Sequence, residues 1–512
     1  MLSIRGAART SRSILHRLAP SAFAALCLLG CSDITPPRDA SQLHVSADVA
    51  SESQAFVQRQ HVVVFHAAQG IPADFSKRVE LLGGTLAASL DSIGVAVVSG
   101  LSDDSAAALA TMSDVAFVEP DTMASVISEE EAVAEADVTS PVSEELTAPA
   151  DVTATGGSPA DALLFARQWN MRAIGADRAW AAGFRGSRTV TVAIMDTGID
   201  YEQPELVGLV DLSRSRSFVP AEDAVVQALY PGRNPVTDLF YHGTGVAETV
   251  VSHGALLAGV TQEVTLIAVK IANRNGGFST ATLLQGLMYA ADQGADVLNV
   301  SGDVRLKRHA NAGMIAAFER AYAYTWRKGM LIVSVPGNNA HDFQHDDGAV
   351  STCAIGNSMC ASATGPTADA PLNGPWVNVD AIAPYTGFGI GTVDVAAPGG
   401  TAFVNTRIWL PCLTTPSSSS PASCRPRSIN NGTCANPAAG TCLLQGVGTS
   451  WAAPHITGLA ALLVEQNGHG KPAQIRAAIL QSADDLGDPG VDPYYGHGRI
   501  NVPRALGLPD GR

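Results

Sequence analysis

The sequence predicts an α/β fold, a three-layer sandwich around a mostly parallel sheet, preceded by a small α+β domain. Three observations predict it. Short, near-continuous apolar runs such as Thr189–Met195 recur after residue 160 and read as strands buried on both faces. Helical stretches separate them, the spacing of βαβ units. Before residue 128, strand and helix patterns alternate in a segment of their own, and an acidic stretch follows it.

Composition narrows the function classes. The chain has 512 residues, with Lys+Arg 32 against Asp+Glu 48, a net charge of −16, and 46% apolar residues. That surplus of acid excludes a nucleic-acid partner held by phosphate neutralisation. The apolar share supports a packed core rather than overall disorder. No run reaches the roughly 20 apolar residues a spanning helix needs, so a polytopic membrane protein is excluded.

Taken in chain order, Arg5, Arg9, Arg12 and Arg17 form a positive region before the short apolar run Leu18 to Gly30. Residues 1–30 therefore read as a secretory signal peptide. Leu28-Leu29-Gly30-Cys31 resembles the bacterial lipobox. That resemblance implies that Cys31 becomes a lipidated first residue and anchors the chain to a membrane. The plain alternative is a signal peptide beside an incidental cysteine. Residues 31–58, rich in Ser, Ala, Pro and Asp, read as a tether. The expected location is the cell envelope, as an anchored lipoprotein, or the exterior after release.

Residues 59–127 form the small domain. Strands are predicted over 61–66, 92–98 and 115–118, with helices over 70–82 and 103–113. Residues 128–159 are an acidic linker in which Glu129, Glu130, Glu131, Glu135, Asp137, Glu144, Glu145 and Asp151 have no Lys or Arg among them. It is expected to be a solvated spacer and a natural place to be cut.

Residues 160–512 carry the sandwich. Strands are predicted at 189–195, 265–271, 297–300, 331–335 and 393–396, and helices at 243–253, 280–293, 311–328 and 451–465. Six cysteines remain in this part: Cys353, Cys360, Cys412, Cys424, Cys434 and Cys442. An even, clustered set in an exported chain predicts disulfides. Cys353 and Cys360 are close enough to close a small loop. The other four sit in a Pro/Ser/Asn/Gly-rich insert, residues 403–445, and their pairing is open. Zinc is the weaker reading, because no CxxC or CxxH spacing occurs there.

Three motifs carry the chemistry. Ile194-Met195-Asp196-Thr197-Gly198 places an acid where a buried strand stops. His242-Gly243-Thr244-Gly245 opens a helix. Gly448-Thr449-Ser450 precedes a long apolar helix. Each has a bland reading alone: a turn, a surface histidine, an N-cap. Together they follow one of the known chain orders of the Asp-His-Ser triad.

With Gln168-Trp169-Asn170-Met171, Ala295 to Ser301, Val335-Pro336-Gly337-Asn338 and Val393 to Gly399 in the same order, residues 160–505 resemble a subtilisin-like serine protease, a subtilase. Residues 61–127 resemble the subtilase propeptide, most closely at Phe117 to Asp121, which implies a ferredoxin-like domain that assists folding and then inhibits its own enzyme. The resemblance implies a serine endopeptidase acting on proteins or peptides and made as a self-processing zymogen. It implies Ser450 as nucleophile, His242 as base, Asp196 as its orienter, and Asn338 with the Ser450 N–H as the oxyanion hole. It also implies that Ser301 and Gly302 on one side, and Gly276 and Gly277 on the other, flank an extended substrate. Catalysis needs no cofactor or metal, and a monomer is expected.

Several positions depart from the family pattern. Gly245 stands where a second histidine is usual, Glu248 where a glycine is, Asp303 in place of a glycine, Pro336 in place of an alanine and Trp451 in place of a methionine. Asp303 is placed to favour a basic substrate side chain, or is only a loop acid. Ser252 to Glu263 lacks an Asn/Asp-rich loop, which puts family-type calcium binding there in doubt, while structural calcium elsewhere stays open. Two further functions remain alternatives: a catalytically silent surface-binding lipoprotein, and an acyl transferase using the same triad.

Overall fold

The computed structural model describes residues 60–126, 157–346, 348–417, 419–420, 424 and 442–509, all belonging to one compact unit, Asp48–Arg512. The signal peptide, Cys31, the tether, most of the acidic linker, Cys434 and the middle of the 403–445 insert lie outside the described residues.

The N-terminal domain runs β1 Gln60–Phe65, α1 Phe75–Leu81, β2 Thr85–Leu90, β3 Val95–Ser99, α2 Asp103–Ala110 and β4 Val115–Pro120. Its sheet is antiparallel in the order β2-β3-β1-β4, a ferredoxin-like βαββαβ arrangement. Alternation along the central strands serves two cores. Val63, Phe65, Ala96 and Val98 pack with Phe75, Val79 and Leu109 of the domain's own helices. Val62, Val64, Val95 and Val97 face the other way, into the core of the larger domain. The sequence pattern predicts only three strands here. The one it lacks, β2, is an Ala/Ser-rich edge strand whose residues alternate only between exposed and half-buried, so its β signal is weak.

Past β4 the chain forms a three-residue strand, β5 Met123–Ser125. The larger domain then continues with α3 Trp169–Ala173, α4 Ala176–Ala181, β6 Thr191–Asp196, β7 Arg216–Ser217, α5 Pro220–Leu229, α6 His242–Val250, β8 Thr265–Lys270, β9 Gly277–Ser279, α7 Thr280–Asp292, β10 Val297–Val300 and β11 Arg305–Lys307. It ends with α8 Ala312–Arg327, β12 Leu331–Ser334, β13 Ala349–Ser351, β14 Met359–Thr364, β15 Val395–Pro398, β16 Ile408–Pro411, β17 Leu443–Gly446, α9 Thr449–Asn467, α10 Pro472–Ser482 and α11 Val502–Ala505.

Seven of these strands form one parallel sheet in the order β15-β14-β12-β10-β6-β8-β7. Helices cover both faces, giving the three-layer α/β sandwich. In β6, Val192 and Ile194 join the core containing α6 and α9, while Ala193 and Met195 join the core containing α7 and α8. Two-sided burial is why this strand reads as an unbroken apolar run. The chain steps from β6 to its neighbour β8, then returns to the other flank of β6 as β10. The crevice beyond the C-terminal ends of β6 and β10 is the switch point where such sheets bind ligands.

Disulfides join Cys353 to Cys360 and Cys412 to Cys424, and Cys442 is disulfide-bonded as well. Among the described residues no helix is long and apolar enough to cross a membrane.

Candidate active site

Asp196 is the last residue of β6, His242 the first of α6, and Ser450 the second of α9. All three are at most 1% exposed. His242 Nδ1 lies 2.9 and 3.0 Å from the two Asp196 carboxylate oxygens. A histidine so held carries its proton on Nδ1 and leaves Nε2 as the base. Asp196 is itself fixed by the Thr197 N–H, and the Thr197 hydroxyl accepts the Gly243 N–H. Close packing of Gly243 on Gly198 leaves no room for a side chain there.

Asp238, which the motif search missed, sets the entry to α6. One carboxylate oxygen accepts from the backbone N–H groups of Phe240 and Tyr241, the other from the Thr244 N–H and hydroxyl. These bonds hold Tyr241 at φ 145°, a costly conformation for a side-chain-bearing residue, directly before His242. Burial pushes the Asp238 carboxyl upward, against the four donors around it.

The Ser450 side follows from a proline inside its helix. Pro454 has no N–H, so the Ser450 carbonyl loses its helical donor four residues on. The Ser301 hydroxyl donates to that carbonyl instead, at 2.9 Å. Ser301 Oγ in turn accepts from the Asn299 amide, and Asn299 Oδ1 accepts from Thr457 on α9. Asn299 is a second missed residue. Its signal was visible, since an amide in the buried run Val297–Val300 must find partners.

Asn338 follows β12. Its Oδ1 accepts from both the N–H and the hydroxyl of Thr449, each at 2.7 Å. With the oxygen so occupied, the NH₂ end is the free donor at the cleft, which Asn338 lines with Ser450. Gly302 lies against the Phe278 ring, and a Cβ there would stand 3.0 Å from it.

The cleft holds a segment of the chain itself. β5 pairs antiparallel with β9, matching Met123 to Ser279 and Ser125 to Gly277. The Val126 N–H donates to the Gly276 carbonyl at 2.9 Å. Ser450 Oγ donates to the Val126 carbonyl at 3.4 Å and to the Ser301 carbonyl at 3.3 Å. The structure thus brings Ser301, Gly302, Gly276 and Gly277 around one extended strand that ends on Ser450.

Two of the departures from the family pattern, Gly245 and Trp451, are explained by packing. The Trp451 ring lies 4.9 Å from the His242 ring. A Cβ at Gly245 would stand 3.0 Å from the Trp451 ring, and one at Gly446 2.5 Å. The small residue at 245 therefore accommodates the large one at 451. Glu248 does not face solvent: it is buried, and burial together with the nearby Glu205 raises its pKa well above the usual range. After α6, the Glu205 carboxylate accepts from the N–H groups of Ala255, Leu256 and Leu257 and from the Ser252 hydroxyl. A cation at that point would meet N–H donors, so the residues there do not fit calcium. Among the described residues no group of three or more His, Cys, Asp or Glu side chains is arranged to hold a metal.

Comparison with known proteins agrees with this geometry. A family model described as the subtilase family matches residues 187–498. The chain is 28% identical over 333 residues to a thermophilic serine proteinase of Bacillus sp. (strain AK1), spanning 64% of each chain. It is 28% identical over 355 residues to thermitase of Thermoactinomyces vulgaris, covering 68% of this chain and 99% of that one. In fold it is similar to the epidermin leader peptide processing serine protease of Staphylococcus aureus, with a TM-score of 0.64, 17% identity, and coverage of 89% of this chain and 99% of that one. Fervidolysin from Fervidobacterium pennivorans aligns with a TM-score of 0.59 at 20% identity over 88% of this chain and 61% of that one. With the family model covering more than half its length, the chain belongs to the subtilase family of serine endopeptidases.

Proposed function

We propose that this protein is an exported endopeptidase made as a zymogen, with Asp196, His242 and Ser450 as its triad. Ser450 attacks the scissile carbonyl while His242 Nε2 takes the hydroxyl proton, and His242 then returns that proton to the leaving amine. Asp196 stabilises the imidazolium through Nδ1 without taking the proton. Asn338 Nδ2 and the Ser450 N–H receive the developing oxyanion.

The observation that carries the reading is the position of residues 123–126. Met123 to Val126 lies as a substrate-like strand with the Val126 carbonyl on Ser450. We assign Val126–Ile127 as the bond cut in maturation and the domain at 59–127 as the resident inhibitor. Its contacts support that role. Glu119 accepts from the N–H groups of Gly313 and Met314 at the start of α8. Asp121 accepts from the Ala281 N–H and the Thr280 hydroxyl at the start of α7. Carboxylates at helix N-termini are favourable. The Arg320 guanidinium donates to the carbonyls of Phe65 and Ile93. In this reading residues 1–30 direct export, Cys31 carries the lipid anchor, and the acidic linker at 128–159 is removed or trails after the cut.

Fluorophosphonate labelling tests the catalytic assignment. The mature protein is expected to digest casein and to take the label on Ser450, whereas His242→Ala should do neither at a measurable rate. Labelling at another residue, or casein digestion by Ser450→Ala, would contradict the assignment.

A further inference from the structure

We infer that Asp303 is the specificity-determining residue of the main side-chain pocket and selects a Lys or Arg on the acyl side of the scissile bond. The inference rests on the proposed reading of Val126 as the residue before that bond.

Val126 does not fill the pocket it enters. With it in place, a cavity of about 230 Å³ remains, lined by Val126, Gly302, Asp303, Val335, Gly337 and Asn338 among others. Gly302 forms the wall between Val126 and the Phe278 ring: a Cβ there would stand 3.0 Å from the ring, a tight contact, and 3.6 Å from Val126 Cγ1. Asp303 comes next in the chain.

The acid is held firmly. β11 pairs with β13, which sets Asp303 beside Ser351. Asp303 Oδ1 accepts from the Ser351 hydroxyl at 2.5 Å and the Thr352 hydroxyl at 3.4 Å. The Cys353–Cys360 disulfide ties this segment to β14. Oδ2 faces Gly337, where a Cβ would stand 3.5 Å away. One oxygen is thus used for support and the other is left to the pocket. The Asp303 carboxylate is only half-buried, and an extended basic side chain entering past Gly302 would bring it a cationic partner.

Among the described residues, the charged and titratable groups that act on or feel Asp303 are Arg305 and Tyr322. Arg305 lies in the same cleft but is exposed, and its guanidinium bonds to His341 at 2.8 Å. Burial raises the Asp303 carboxyl to about 6, with Ser351 and Thr352 opposing the rise. The Asp303 carboxyl is therefore mostly ionised above that pH. Val126 need not match the preference, because a tethered strand reacts at high effective concentration. Between Val79 and Ala166 the sequence has no Lys or Arg, so the enzyme has no preferred site in the strand that blocks it or in the linker beyond.

The test uses peptides differing only in the residue before the cut: Lys, Arg, Leu and Val. The wild type is expected to cleave the Lys and Arg peptides at least 10-fold more efficiently in kcat/KM than the Leu peptide at pH 8. Their advantage should shrink as pH falls from 8 to 5. Asp303→Asn should abolish the advantage, its fold checked separately by circular dichroism, and Asp303→Glu should restore part of it. An unchanged Lys-to-Leu ratio in Asp303→Asn, or a wild type that favours Leu or Val, overturns the assignment. If no peptide is cut and Ser450 takes no fluorophosphonate, the endopeptidase reading itself falls, and this inference with it.

Discussion

In the proposed mechanism Asn338 divides its two ends between structure and chemistry. Its oxygen is bound to Thr449 at the start of the nucleophile helix, which turns its NH₂ toward the cleft. Asn338→Asp keeps the acceptor for Thr449 and removes the donor, so it separates the two roles. We expect kcat on a peptide substrate to fall by about 10²–10³ with little change in KM, as for other oxyanion donors; an unchanged kcat would place the oxyanion elsewhere. The motif residues were legible in the sequence because the chemistry demands those residue types. Their supports were not. Asp238, Asn299 and the Ser301 bond to the Ser450 carbonyl are ordinary polar residues until the fold brings their partners close. Gly245 and Trp451 each look like an unrelated departure in the sequence and become one packing solution in space.

At the scale of elements, helix N-termini organise the molecule. α9 carries Ser450 in its first turn, α6 begins with His242, and α7 and α8 receive Asp121 and Glu119 from the N-terminal domain. Replacing Glu119 by Gln removes a charge-assisted pair of bonds at the start of α8. About 1.4 kcal/mol lost there corresponds to a tenfold weaker grip. After the cut, the Glu119→Gln domain should therefore release active enzyme about tenfold faster than wild type, read from the lag before peptide cleavage. No change in the lag would mean that Glu119 does not hold the domain. Most strands with both faces buried were readable from their apolar runs and the long helices from their period, but β14 was not, because its buried residues include Ser362 and Thr364 and break the run. The failures have physical causes. β2 is a polar edge strand, and β5 has three residues and exists only because β9 pairs with it. α5 and α10 each begin with a proline at the first helical position. That is a start signal, but α10 has only a weak apolar face behind it.

Over the whole molecule, the larger domain brings three distant motifs to one crevice, and the small domain feeds the chain's own residues 123–126 into it. The two share a hydrophobic core through Val62, Val64, Val95, Val97 and Val126, so the blocking strand is held by packing as well as by its pairing with β9. The strand-helix alternation and the family pattern were legible in the sequence. The meeting of Val126 with Ser450 was not, because nothing in a sequence sets the path of a three-residue strand between two domains. The most direct measurement is the intact mass and N-terminal sequence of purified wild type beside Ser450→Ala. The account predicts that only the wild type is cut, leaving a large fragment that begins at Ile127 or, after trimming of the linker, between there and residue 160. Identical cutting of both proteins, or a wild type that stays whole under conditions where it digests casein, would contradict it.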